Sequence, residues 1–325
     1  MKKEQTALRL GARSDHRTVY VRLFGILGRY GVVLALVVLV GIAGALQPIF
    51  LRPSNVINVL RQVSITGILA IGMTFVILNC GIDLSVGSIV GLTGMLAIMF
   101  QPHGLVVSIG SALAVGTLVG VANGYGVANG IVPFIMTLGS LTAVRGIAFM
   151  VSDGRPVMGA SDAYAWIGGG YVVGIPVPVL ILGLILFAAY FILERTTFGR
   201  SVYAVGGNEE AARLAGINLT RNRVCVYGIS GLLSGLAGVV LTARMTSCDP
   251  AVGILFELDA IAATVIGGTS MFGGEGKVTR TVIGALIMGV LANVMNLMNI
   301  SPYPQQVVKG LIILWAVLMD KFKQR

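Results

Sequence analysis

The chain has 325 residues, 56% of them hydrophobic and only 11% charged, with 23 Lys and Arg against 13 Asp and Glu. Soluble proteins carry about 25% charged residues, so this composition excludes an ordinary soluble core and defines an integral membrane protein. The net charge of +10 does not point to nucleic acid, because the cations gather in a few polar segments between apolar runs. The three cysteines form no CxxC pair or disulfide framework, and the two histidines form no metal cluster.

Taken in order, residues 1–29 form a basic tail. An apolar run near Tyr30–Leu46 is long enough for a retained first span rather than a cleaved signal. Pro48, Pro53 and Asn55 mark a loop with a short helical entry through Arg61, ahead of a second span near Gln62–Leu78. Asn79 to Gly87 breaks the apolar run, and a third span reaches Phe100. Spans four and five follow near Leu105–Val121 and Val132–Val151. The Gly-rich loop Ser152–Val173 holds Tyr164 and Trp166, residues suited to a membrane interface. Span six ends near Leu193, a polar island occupies 194–223, and span seven runs near Val224–Ala243. The next apolar segment, Asp259–Phe272, is short for a crossing and reads as tilted, broken or re-entrant. Two further spans and the tail 321–325 complete the chain.

The expected fold is an all-α polytopic bundle of about ten transmembrane helices, or eight if two segments are re-entrant, with 30–320 as the membrane domain. A cytoplasmic N-terminus places seventeen of the 23 Lys and Arg on the inner side, both termini and the island included.

Enzymatic motifs are missing. Gly273-Gly274-Glu275-Gly276-Lys277 has the flavour of a P-loop, but Met271 replaces the first Gly and Val278 follows the Lys. HExxH and GxSxG are absent. Neither a catalytic residue nor a metal ligand is expected, and no cofactor is expected on this chain. The positive signal is a set of polar groups at or inside apolar runs, including Asn79, Asp83, Arg145, Glu257, Asp259, Asn293 and Asn296. Such residues are costly in lipid and line a bundle interior or a polar path. The simpler alternative is that they cap broken helices and pair with each other, Arg145 with Asp83 or Asp259. The glycines of span seven, Gly231, Gly235 and Gly238 among them, read as close helix packing.

The island has its own logic. Asn208 is a good N-cap, Glu209 and Glu210 suit a first turn, and Ala211, Ala212, Leu214 and Ala215 favour helix around Arg213. Gly216 can end it in a left-handed turn. So short a helix needs packing against something, its own protein or a partner's groove.

Several motifs in this order closely resemble the ribose-type permeases of ATP-binding-cassette sugar importers. They are Ala70-Ile71-Gly72-Met73-Thr74 with Gly81-Ile82-Asp83-Leu84-Ser85-Val86-Gly87-Ser88, then Pro133 to Gly139 with Arg145-Gly146. Phe198-Gly199-Arg200 through Ile217, Glu257 to Ala263, and Gly267-Gly268-Thr269-Ser270 continue them. Cys80 stands where that family often has Gly. The resemblance covers residue 50 onward and implies a subunit of a bacterial inner-membrane importer, working as a pair with a second copy or paralogue. A cytoplasmic ATPase, the user of ATP-Mg, would bind Asn208–Gly216, and a periplasmic binding protein would deliver a pentose or hexose. On this reading Asn79, Asp83, Ser85, Thr137, Arg145, Glu257, Asp259 and Thr269 form the translocation path or gate, and a charge at Ala212 breaks coupling. The rival reading is an ion-coupled secondary transporter using Asp83 or Asp259.

Overall fold

The computed structural model describes residues 31–323; the basic tail 1–29 and the last two residues lie outside that range. Helix α1 (Gly31–Leu46) leads through a 3₁₀ turn to α2 (Pro53–Leu78). After a break come α3 (Val86–Met99), α4 (Leu105–Ala128) and α5 (Pro133–Ser152). A loop holding α6 (Asp162–Gly169) returns the chain to α7 (Val177–Arg195). The polar island forms α8 (Thr197–Gly207) and α9 (Glu209–Leu214). Then follow α10 (Leu219–Met245), the short α11 (Phe256–Ile266), α12 (Val278–Leu297) and α13 (Pro302–Lys323). Four two-residue strands form two antiparallel ribbons, β1 (Val157–Met158) with β4 (Ser247–Cys248) and β2 (Tyr171–Val172) with β3 (Ile175–Pro176).

Six of the described helices, α2, α4, α5, α7, α10 and α12, are long and apolar enough to cross a membrane, and α1 and α3 are shorter apolar helices. The protein is therefore a polytopic helical membrane protein. α2 and α10 are buried along most of their length, whereas α4, α5 and α7 leave most of theirs uncovered. Small residues bring α10 close to its neighbours. Gly116 and Gly120 of α4 lie against the Gly231 backbone, and Gly235 lies against Ala112. A Cβ on any of these glycines would strike backbone, so this is the close packing expected from the glycines of span seven.

The connections gather at two ends of the bundle. At one end the Leu78 carbonyl accepts from Gly274 N at 3.0 Å, Asn79 donates to Asn222 at 2.6 Å, and Tyr203 donates to the Gly276 carbonyl at 3.0 Å. Asp320, near the end of α13, accepts there from Ser270 Oγ and Met271 N, both at 3.0 Å. At the other end Arg61 reaches the Gly169 carbonyl at 2.6 Å, Gln101 accepts from Ser161 N at 2.6 Å, and β1 meets β4. Asn55 and Asn293 exchange reciprocal amide bonds of 2.9 and 3.0 Å at that same end.

Three expectations change. The entry before span two is not separate, since Pro53 starts one continuous helix to Leu78. Tyr164 is not an interfacial residue but is fully buried, its hydroxyl 2.6 Å from Thr242 Oγ1. The tail expected from residue 321 begins inside α13.

Candidate functional site

α9 forms as its sequence dictates. Asn208 Oδ1 accepts from Ala211 N at 2.9 Å, and Gly216 ends the segment at φ 81°. Arg213 pairs with Glu210 at 2.6 Å on the surface, while Arg223 of α10 reaches Glu209 at 2.5 Å and ties the helix to the bundle. The residues face different ways. Ala212 is only 4% exposed, and its carbonyl accepts from Ile217 N at 3.1 Å. Leu214 is 79% exposed, and Glu210, Ala211, Arg213 and Ala215 are exposed with it. Ala212 is thus internal packing, and the free apolar anchor is Leu214. A charge at Ala212 would disturb the loop itself, so it does not isolate a partner contact.

α8, which the sequence reading left unformed, is the base on which α9 stands. Thr196 caps it by accepting from Gly199 N at 3.1 Å. Its last turn touches both interruptions of the bundle at once. A Cβ on Gly206 would collide with the Leu78 carbonyl oxygen and come within 2.7 Å of Gly274 N. Leu78 opens the interruption before α3, and Gly274 lies in the one after α11. A hydrogen-bonded chain reinforces this junction, from Asn79 to Asn222 and from Asn222 to Ser201 of α8 at 2.7 Å. Burial and the nearby Glu194 push the Tyr203 phenol up to about 12, so it stays protonated and keeps its bond to Gly276 at any physiological pH.

The first interruption is held by polar side chains. Asp83 is fully buried, with Oδ1 accepting from Ser85 N at 3.0 Å and Ser85 Oγ at 2.6 Å, and Oδ2 from Ser230 Oγ at 2.8 Å. Asn123 donates to Ser85 Oγ at 2.9 Å and accepts from Ser140. Tyr227 and Thr137 both donate to the Ile82 carbonyl, at 3.2 and 3.4 Å. This network satisfies backbone that lipid could not. Asp83, Ser85 and Thr137 are buried and support the break. Cys80 takes φ 59° there, a left-handed conformation that suits Gly.

Arg145 pairs with neither Asp83 nor Asp259. From α5 it donates to the Pro250 and Val252 carbonyls at 2.7 and 2.6 Å, tying the loop before α11 to α5. Gly87 and Gly91 make room for it: a side chain at Gly87 would hit Glu257 and the Gly253 carbonyl, and one at Gly91 would meet Arg145 at 2.8 Å. Asp259 pairs with Lys309 of α13 at 2.8 Å. Thr269 is buried, its hydroxyl without a hydrogen-bond partner among the described residues. Asn79 borders a cavity at the island end, about 410 Å³, shared with Cys80, Pro133, Glu209, Arg223 and Tyr227. The path residues thus divide between the break before α3 (Asn79, Asp83, Ser85, Thr137), the break after α11 (Thr269), the contact of the loop and first turn of α11 with α3 and α5 (Arg145, Glu257), and the Asp259–Lys309 pair. Which side of each faced inward could not be read from segments apolar all round.

The molecule is an interrupted helical bundle in which α8 rests against both interruptions and carries the capped, exposed α9. Residues 55–317 match the family described as branched-chain amino acid transport system / permease component, and the chain belongs to that family. It is 47% identical to the ribose import permease protein RbsC of Haemophilus influenzae over 301 residues, 89% of this chain and 92% of the relative. The identity to RbsC of Bacillus subtilis is also 47%, over 92% and 94%. To the D-allose transport system permease protein AlsC of Escherichia coli it is 40%, over 90% and 91%. No solved structure gives a significant match.

Proposed function

We propose that this chain is the membrane-spanning subunit of an ATP-binding-cassette importer for a ribose-like monosaccharide. It crosses the bacterial inner membrane ten times, with the island end and both termini in the cytoplasm. The alternation of connections between the two ends supports ten passes, with α3 and α11 each completing a crossing through the extended segment beside it. The positive charge of the island supports its cytoplasmic placement. The chain binds no nucleotide. A separate ATPase uses ATP-Mg and presses on α9, a second permease subunit completes the path, and a periplasmic binding protein delivers the sugar to the far end. The names of the relatives, permeases for ribose and D-allose, support the sugar class.

The observation that carries the reading is the geometry of α8 and α9: an exposed Leu214 on a helix whose base meets both interruptions at Gly206. A push on α9 reaches both breaks through one contact and biases two arrangements of the bundle. The test is purification of the tagged chain with Leu214→Asp beside the wild type. An ATPase that co-purifies with the wild type, is lost from the variant, and takes sugar uptake with it supports the role. A variant that retains both the ATPase and full uptake overturns it. Transport by the chain alone on an ion gradient would instead make it a secondary transporter.

A further inference from the structure

Resting on the sugar-transport reading, we propose that the cavity between α11 and α13 is a weak monosaccharide subsite, with Asp259, Lys309 and Gln306 as its hydroxyl-binding groups. The cavity is about 330 Å³ and lies where the first turns of both helices meet, at the end of the bundle away from α9. That volume falls within the roughly 300–1,000 Å³ of small-molecule sites, enough for one sugar ring.

Its lining has the chemistry of polyol recognition. Lys309 Nζ lies 2.8 Å from Asp259 Oδ1 and 2.9 Å from Oδ2. The pair is partly open, with side-chain exposures of 28% and 18%. A carboxylate has about four acceptor sites and an ammonium three donors, so both keep capacity after pairing. Two neighbouring hydroxyls can bridge them, one donating to Asp259 and one accepting from Lys309. Gln305 is committed to the wall, its amide donating to Asn296 Oδ1 and the Ile300 carbonyl at 2.8 Å each. Gln306 is exposed at the rim and its side chain makes no hydrogen bond to another described residue, so its amide can both donate and accept. The half-buried Phe256 adds an apolar wall for the C–H face of a ring. A net-neutral set of this kind selects an uncharged, hydroxyl-rich ligand. A translocation subsite must bind weakly enough to release, which fits a shallow, solvent-open pair.

The experiment uses the transporter purified with its ATPase in lipid nanodiscs, without binding protein or nucleotide, and D-ribose as probe. Saturation-transfer NMR reads contact between sugar and protein for the wild type, Gln306→Ala and Asp259→Asn. The expected result is saturable contact with a Kd of about 1 mM, weakened about tenfold by Gln306→Ala, a loss of about 1.4 kcal/mol, and abolished by Asp259→Asn. Melting of Gln306→Ala should match the wild type, because Gln306 holds no other described group. Saturable contact that survives both substitutions overturns the subsite. So does its absence from a wild type that imports sugar, and in both cases the transport reading stands. A wild type that imports none of D-ribose, D-allose and L-arabinose with its partners overturns the transport reading, and the subsite with it.

Discussion

Cys80 sits at a backbone angle that glycine would hold at less cost. Its φ of 59° costs an L-residue about 1–2 kcal/mol relative to a right-handed conformation, and glycine avoids most of that cost. Cys80→Gly is therefore expected to raise stability by about 1 kcal/mol, a shift of about 2 °C in apparent Tm. Thermal melting in detergent checks this, and a fall in Tm would show that the Cys80 side chain contributes packing beyond its exposed position. Partner choice was the least legible property at this scale. The sequence marked Asp83, Arg145 and Asp259 as costly and therefore satisfied. It did not show that the Ser230 hydroxyl would serve Asp83 beside the neighbouring Ser85, carbonyls Arg145, and Lys309 Asp259, because Ser230, Pro250 and Lys309 lie far away in the chain.

Among the elements, α9 and the two interruptions were readable because each rests on local chemistry: an Asn cap, a terminating Gly, and polar residues cutting an apolar run. α8 was not, since its helix depends on docking against α2 and the segment after α11. Ala212 and Leu214 stand two positions apart on a helix of six residues, too few turns for a pattern to tell the inner face from the outer. The junction at Gly206 gives the test at this level. Gly206→Ala drives a methyl into the Leu78 carbonyl, a strain of about 1–3 kcal/mol. The expected outcome is a chain still present in the membrane that hydrolyses ATP with its partner yet moves little sugar for each ATP. Parallel assays of membrane abundance, hydrolysis and uptake separate this from misfolding. An unchanged ratio of sugar to ATP would remove the junction from the coupling route.

In the whole molecule, the covered helices α2 and α10 form the centre, while α4, α5 and α7 leave apolar surface for lipid or a second subunit. The composition made the membrane class plain from the start. The arrangement of the helices was not legible, because contacts between apolar helices are chosen by small residues and by rotation, and hydropathy is silent on both. The polar segments between the apolar runs said where the chain turns, and the contacts at the two ends say which turns lie together.

α10 has one further consequence. Asn222, Tyr227, Ser230, Gly231, Gly235 and Thr242 each meet a different neighbour from the same continuous helix, so the protein is keyed to one angular phase. A single alanine inserted after Val226 would rotate everything beyond it by about 100°. Tyr227 and Ser230 would then swing away from Ile82 and Asp83 together, leaving a buried carboxylate short of a donor. The same insertion near the middle of α7, which has few buried positions, would mainly re-aim side chains that face outward. Scanning one-residue insertions along both helices and measuring membrane abundance should therefore give a near-complete loss across α10 and a shallow, tolerant profile across α7. Equal tolerance in the two would mean that α10 slips to absorb the extra residue and that no fixed phase is needed.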